Sequence, residues 1–258
     1  MELNFKTFGS GPALIILHGL FGSLDNWQTL ARKYAAHFSV YIVDQRNHGK
    51  SPHTDAAFTY RSLADDLLAF MEQQGMYSAS LLGHSMGGKV VMQFAAENES
   101  MVERMVVADM ATRRYSPHHD AVLQVLASIP FAELDSRKAA TEWMTEQMSD
   151  VATRQFLLKS LQRTLNGPHE FAWKFNFPVL YRDYDLILEA VEADFALDVP
   201  VLFLRGGDSN YVRDEYLLEI REIFPQAELA TLEGAGHWLH ADQPQAFFDT
   251  SLKFLLGS

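Results

Sequence analysis

The stretch Ala79-Ser80-Leu81-Leu82-Gly83-His84-Ser85-Met86-Gly87-Gly88-Lys89-Val90-Val91-Met92-Gln93-Phe94-Ala95 decides the fold. Its first four residues form a short apolar run with the length of a buried strand, while Val90, Val91, Phe94 and Ala95 recur at three and four residues, as one face of a helix does. Between them, Gly83-His84-Ser85-Met86-Gly87 fits the Gly-x-Ser-x-Gly pattern of a sharp strand-to-helix turn. Such a turn strains the backbone of the central serine and projects its hydroxyl toward substrate, and the flanking glycines let neighbouring backbone pass close. It also sets the N–H of Met86 at a helix start, where unpaired donors and the helix dipole favour a negative oxygen. Ser85 is the candidate nucleophile.

The same grammar extends in both directions. Apolar runs of strand length occur at Ala13–Leu17, Val40–Val43, Met105–Ala108 and Val199–Leu204, with a weaker one at Leu229–Leu232. Tyr60, Leu63, Ala64, Leu67, Leu68 and Met71 mark another helix with one apolar stripe. Runs without polar alternation suit strands buried on both faces, and strands alternating with helices predict an α/β fold with a doubly wound, mostly parallel sheet. The alternation lapses between Arg113 and Phe195, where only helix-like patterns rich in Met, Trp and Tyr occur. A structureless connection of that size is improbable in a compact domain. The expected organisation is a core of residues 1–112 and 196–258 with a helical cap, residues 113–195, inserted between two strands.

The composition of the 258 residues, 48% apolar and 21% charged, is that of an ordinary globular domain. There is no cysteine, which excludes disulfides, thiolate metal sites and a cysteine nucleophile. Lys and Arg number 21 against 33 Asp and Glu, a formal net charge of −12 that repels phosphate backbones and anionic lipid headgroups. No basic segment precedes an apolar stretch at the start, and no run of roughly eighteen apolar residues occurs. The expectation is a cytoplasmic protein that binds neither nucleic acid nor membrane; a homodimer stays open.

A serine hydroxyl is a weak nucleophile until a base takes its proton. Of ten histidines, His237 stands out, because Glu233-Gly234-Ala235-Gly236-His237 follows the last strand and can swing back over the carboxyl ends of the strands. His118 and His119, in Ser116-Pro117-His118-His119-Asp120, read as solvated. Two carboxylates can orient the imidazole. Asp208 lies in the turn Gly206-Gly207-Asp208-Ser209-Asn210-Tyr211-Val212, one place early for a Gly-x-x-Asp pattern; Asp109 ends the strand that follows the nucleophile helix.

The chain resembles the α/β-hydrolases over essentially its whole length. The resemblance rests on His18-Gly19-Leu20-Phe21-Gly22-Ser23, Asp44-Gln45-Arg46-Asn47-His48-Gly49-Lys50-Ser51-Pro52, Gly83-His84-Ser85-Met86-Gly87-Gly88-Lys89 and Gly234-Ala235-Gly236-His237-Trp238. The Arg-Asn-His-Gly wording and Gly-Gly-Asp-Ser-Asn-Tyr-Val narrow it to YbfF-like and ABHD11-like esterases. That resemblance implies a serine hydrolase without cofactor that cleaves small-to-medium acyl esters, or acyl thioesters. It implies Ser85 as nucleophile, His237 as base and Asp109 as acid, with Asp208 the alternative. The N–H of Leu20 would join that of Met86 in the oxyanion hole; Phe21 is the alternative donor. Two backbone donors at one sheet edge suffice for that task.

Other features carry less. His84 and His48 read as braces for the motif loops, and Asp44 with Arg46 as a buried pair. His237 and His240 have the spacing of two ligands on a helical turn, but no His-Glu-x-x-His pattern accompanies them, and Gly9-Ser10-Gly11 lacks the third glycine of a dinucleotide fingerprint. Neither metal nor nucleotide cofactor is expected. In the insertion, Trp143, Met144, Met148, Phe171, Trp173 and Phe175 supply apolar surface, most of it for the segment's own core and some for an acyl pocket. The same triad would also serve a carbon–carbon bond hydrolase or a cofactor-free haloperoxidase. A hydrolase scaffold used as a non-enzymatic receptor is disfavoured because all three triad residue types are present.

Overall fold

The computed structural model describes residues 1–164 and 170–257. In chain order the elements are β1 (Phe5–Phe8), β2 (Ala13–Leu17), α1 (Gln28–Tyr34), β3 (Ser39–Val43), α2 (Tyr60–Gln73), β4 (Ala79–His84), α3 (Met86–Glu97) and β5 (Val102–Ala108). There follow α4 (Asp120–Ser128), α5 (Arg137–Gln147), α6 (Val151–Lys159), β6 (Leu161–Arg163), β7 (Phe171–Trp173), α7 (Phe177–Arg182) and α8 (Tyr184–Ile187). The chain closes with β8 (Val201–Gly206), α9 (Leu217–Ile223), β9 (Glu228–Leu232), α10 (Leu239–Asp242) and α11 (Pro244–Leu255).

Seven strands form one sheet in the order β1-β3-β2-β4-β5-β8-β9, parallel except for β1, which runs antiparallel to β3. The expected mostly parallel α/β architecture is present. Its apolar runs serve two cores at once, since successive side chains of a strand point to opposite faces. Leu14, Ile16, Leu82, Val106, Leu202 and Leu204 pack on one face with Trp27, Tyr34 and Phe247. Ile15, Leu17, Leu81, Met105, Val107, Val201 and Phe203 pack on the other with α2 and α3. That is why these runs show no polar alternation.

Two features depart from expectation. Phe5–Phe8 is a strand that the first clear run at Ala13 does not announce; its central residues are exposed, as befits an edge. The segment between β5 and β8 is not wholly helical either. Leu161–Arg163 and Phe171–Trp173 pair antiparallel as a separate two-stranded sheet. Runs of three residues are too short to show a period. Residues 165–169 of the expected insertion, and Ser258, lie outside the described residues.

The chain passes from β2 to β3 on one side and returns to β4 on the other, so β2 lies between β3 and β4. Ligands of open parallel sheets bind outside the carboxyl ends of strands at such a reversal. The register aligns those ends: Leu17 faces Gly83, His84 faces Ala108, and Ala108 faces Leu204. The residues next in the chain, His18, Ser85 and Asp109, therefore leave the sheet along one edge.

Candidate active site

Ser85 sits between β4 and α3 with φ 53° and ψ −121°, a conformation that L side chains rarely adopt. Its N–H donates to the Ala108 carbonyl at 3.0 Å, and its carbonyl accepts from Gly88 at 2.8 Å, so both sides of the strained residue are held. The glycines two places away are required by space. A Cβ on Gly83 would lie 2.2 Å from the Gly87 carbonyl oxygen, and one on Gly87 would lie 2.6 Å from that of Leu17. Among the described residues, the non-glycine positions with positive φ are Phe21, Asn47, Ser85 and Asp109, all in loops just beyond the carboxyl ends of strands. Strained backbone concentrates where structure over-determines it, commonly at functional sites.

The structure brings Ser85, His237 and Asp109 together. The ring of His237, on the loop between β9 and α10, places Nε2 3.0 Å from Ser85 Oγ and Nδ1 2.7 Å from Asp109 Oδ2. Asp109 is fully buried; its Oδ1 accepts the Gly206 N–H at 3.2 Å and its Oδ2 accepts the Ser209 hydroxyl. A carboxylate taking these donors leaves Nδ1 as the protonated nitrogen of His237, so Nε2 is a free acceptor facing the serine hydroxyl. From behind, His84 Nε2 bonds the His237 carbonyl at 2.8 Å. Asp208 lies elsewhere: it is exposed, and its N–H goes to the Ala235 carbonyl at 2.9 Å. Ser209, three places after Gly206, is the residue of that turn that reaches the site.

On the other side of Ser85 stands the His18-Gly19-Leu20-Phe21 loop. The N–H groups of Leu20 and Met86 make no hydrogen bond to any described residue. The Phe21 N–H, the alternative donor, is committed to His48 Nε2 at 3.2 Å. His48 Nδ1 in turn bonds the Arg46 carbonyl at 3.0 Å, which leaves Nε2 as the acceptor. The Phe21 carbonyl accepts the Ser160 hydroxyl at 2.7 Å, so both polar groups of this positive-φ residue are tied down. Asp44 and Arg46 do not form the expected pair. Arg46 pairs with Asp66, while Asp44 accepts the N–H groups of Leu24 at 2.8 Å and Lys50 at 2.9 Å. Each is engaged by other partners, Asp44 also accepting from Asn4 Nδ2 at 2.6 Å.

A cavity of about 310 Å³ opens over Ser85 and His237. Leu20, Val122, Phe156, Leu157 and Trp238 give it an apolar wall. The aromatic and thioether residues singled out in the sequence do not line it: Met144, Met148, Phe171, Trp173 and Phe175 are buried in the core, and Trp143 packs against it. Val122, Phe156 and Leu157 carry no mark in the sequence beyond helical apolar spacing. His119 is likewise a correction. It lines the cavity, bonds Tyr184 Oη through Nδ1 at 2.7 Å, and is pulled by burial down to a pKa of about 3, so it is neutral rather than solvated and titrating. His118, exposed as expected, is tied through Nε2 to Tyr211 Oη at 2.6 Å. His240 turns inward and stacks on Trp27 with ring centroids 4.4 Å apart. Among the described residues that line the cavity, Asp150 is the one Asp or Glu, and none is Lys or Arg.

A family model described as alpha/beta hydrolase fold matches residues 12–244. The chain belongs to the α/β-hydrolase family. It is similar to the sn-1-specific diacylglycerol lipase ABHD11 of Mus musculus, with 37% identity over 95% of this chain and 81% of the relative. It is also similar to the esterase YbfF of Escherichia coli, with 36% identity over 94% of this chain and 92% of that protein. Among solved structures, a marine microorganism esterase superposes with a TM-score of 0.94 at 41% identity, covering 98% of this chain and 99% of the other. Within this α/β-hydrolase, the serine turn, the His237 loop and the Asp109 strand end are thus embedded in a fold shared over nearly the full length with esterases and a lipase.

Proposed function

We propose that this α/β-hydrolase is a serine carboxylesterase acting on small-to-medium neutral acyl esters through an acyl-enzyme. The observation that carries this reading is the directional relay from the Ser85 hydroxyl to His237 Nε2 at 3.0 Å and from His237 Nδ1 to Asp109 at 2.7 Å. Ser85 Oγ attacks the ester carbonyl as its proton passes to Nε2, and Asp109 holds the imidazole in the tautomer that can accept it. The carbonyl oxygen becomes an oxyanion facing the unpaired N–H groups of Leu20 and Met86. A donor of this kind is worth about 3 kcal/mol of barrier. His237 then gives its proton to the departing alkoxide, the C–O bond breaks, and Ser85 is left acylated. Water, deprotonated by His237, attacks the acyl-enzyme; the carboxylic acid leaves as the proton returns to Ser85. Two relatives named as an esterase and a diacylglycerol lipase support an ester substrate.

The segment between β5 and β8 acts in this reading as a cap over the site, since it supplies Val122, Phe156 and Leu157 to the cavity wall. A 310 Å³ cavity lies at the small end of the roughly 300–1,000 Å³ typical of ligand pockets, which favours compact substrates. Charge favours esters over acyl-CoA. The coenzyme is polyanionic, and the cavity offers it Asp150 with no Lys or Arg, on a chain of net charge −12.

The test is a chain-length series of p-nitrophenyl esters and the matching acyl-CoA thioesters on the wild type and three variants, with fluorophosphonate labelling of Ser85. Ser85→Ala should abolish labelling and turnover. Asp109→Asn should lower kcat by about 10⁴, because the wrong tautomer is then favoured, whereas Asp208→Asn should stay within about threefold of wild type, as an exposed surface change does. Acyl-CoA should trail the matching ester by at least about tenfold, with the gap narrowing as salt screens the repulsion. Full turnover by Ser85→Ala would end the reading, and a loss confined to Asp208→Asn would transfer the acid role.

A further inference from the structure

Tyr211 takes no part in the chemistry above, yet its ring covers the proposed base. The phenol and the His237 imidazole stack with centroids 3.9 Å apart and planes 18° from parallel. The rings of His84, at 4.9 Å, and Trp238, at 5.5 Å, stand farther off. A stack of this kind needs something to hold the ring in place, and the surroundings of Tyr211 do so at each polar atom. Its N–H donates to Ser209 Oγ at 3.2 Å, the same hydroxyl that donates to Asp109. Its carbonyl accepts the Tyr115 hydroxyl at 2.6 Å.

The phenol oxygen belongs to a chain whose proton directions follow from one end. His118 Nδ1 bonds the Ser116 carbonyl at 2.8 Å, so Nδ1 carries the proton and Nε2 accepts. The group it accepts from is the Tyr211 hydroxyl, at 2.6 Å. The Tyr211 oxygen, its proton thus engaged, accepts from His119 Nε2 at 3.3 Å, which leaves His119 Nδ1 to accept the Tyr184 hydroxyl at 2.7 Å. Every donor in the chain has an acceptor. Three of its members, His118, His119 and Tyr184, come from the segment between β5 and β8, whereas Tyr211 comes from the loop after β8.

We infer that Tyr211 is a positioning residue for the hydrolytic reaction: its ring face supports the imidazolium that His237 becomes when it takes the Ser85 proton, and its hydroxyl fixes that face to the cap. The inference rests on the proposed role of His237 as base. A cation over an aromatic face is attracted by the ring quadrupole, and the attraction exists only after proton transfer, so it acts on the transition state and not on the bound ester. The other groups facing His237 do not compete. Asp109 comes from the end of β5, His84 from the end of β4, His119 from the loop before α4 and His240 from α10. Burial holds the three histidines well below the ordinary range and Tyr211 above it, so they are uncharged at neutral pH. Asp109 and the Tyr211 face are then what the imidazolium meets.

Two substitutions separate ring from hydroxyl. Tyr211→Leu keeps an apolar cover but removes the π face; Tyr211→Phe keeps the face and breaks the chain to His118 and His119. The readouts are kcat and KM on a p-nitrophenyl ester and the titration of the His237 ring, followed by NMR on the full chain. Tyr211→Leu should lower kcat about tenfold at nearly constant KM and move the His237 titration down by about half a pH unit or more. Tyr211→Phe should hold the titration within about 0.2 unit of wild type and lose no more than about threefold in kcat. An unshifted titration in Tyr211→Leu overturns the inference, as does a Tyr211→Phe loss equal to that of Tyr211→Leu. Ser85→Ala, assayed beside them, reports on the hydrolase reading alone: its retained turnover would sink that reading while the titrations still judge Tyr211.

Discussion

Ser85, His237 and Asp109 come from three distant parts of the chain, and at this scale each was legible to a different degree. Ser85 carries its own local context, because the turn that exposes it needs Gly83 and Gly87 at fixed places. His237 was legible by its position after the last strand. The facing carboxylate was legible as Asp109 only through the family resemblance, since Asp109 and Asp208 both lie just past strand ends at the same sheet edge and spacing along the chain does not separate them. The role of His48 was equally hidden. Its imidazole accepts the N–H of Phe21, a residue with φ 62°, and so sets the loop that carries the free Leu20 N–H. His48→Ala should leave the Phe21 N–H unsatisfied and let the loop relax. The expected result is a fall in kcat of about ten- to a hundredfold, part of the value of one oxyanion donor, with KM within about threefold. Steady-state kinetics on one ester decides it; a change in KM alone would show that His48 shapes the pocket instead.

Elements were legible where their pattern was long enough to have a period. The five inner and outer parallel strands with continuous apolar runs, and the helices α2 and α3, announced themselves; β1, with exposed central residues, and the three-residue β6 and β7 did not, because edges and short hairpins lack a buried face to impose a pattern. Nothing in the sequence marked Lys89 as more than part of a motif. On α3 it is fully buried and donates Nζ to the carbonyls of Arg113 at 2.8 Å, Leu188 at 3.3 Å and Glu189. Arg113 lies shortly after β5 and Leu188–Glu189 just after α8, so one side chain fastens both ends of the intervening segment to α3. Lys89→Met should take the Nζ donor from the Arg113 and Glu189 carbonyls, Leu188 keeping the Tyr115 N–H at 2.9 Å, and cost about 3 kcal/mol of stability. The urea midpoint measures it, and a loss below about 1 kcal/mol would mean that other donors serve the same carbonyls.

At the scale of the whole molecule, the burial that builds the site also stores an acid liability. His18 is held down to about 4, His48, His119 and His240 to about 3, and His84 well below its ordinary value, in each case mainly by burial. An unfolded histidine titrates near 6.5. Between about pH 6.5 and pH 4 the unfolded chain therefore binds protons that the folded chain refuses, and stability falls as pH falls. Each histidine contributes a slope of up to about 1.4 kcal/mol per pH unit in that window. Above pH 7 both states are neutral at these positions and the contribution is constant. Stability measured by denaturant at pH 7.5 and pH 5.5 should drop by several kcal/mol, and His240→Gln should make the drop shallower. A flat profile across that range would show that the buried imidazoles accept protons in the folded state.

Periodicity and local grammar by themselves determined the parallel α/β class, the strand-to-helix turn at Ser85 and the sheet edge at which the strand ends gather. Those depend on spacing along the chain, and spacing is what burial on a strand or helix face imposes. Which carboxylate faces His237, which apolar side chains wall the cavity, and that Tyr211 and Lys89 tie the segment between β5 and β8 to the site were decided by the tertiary structure alone. These are contacts of about 3–4 Å between residues far apart in sequence, and hydrogen bonds and stacks depend on direction and distance, which no pattern of residue types along a chain specifies.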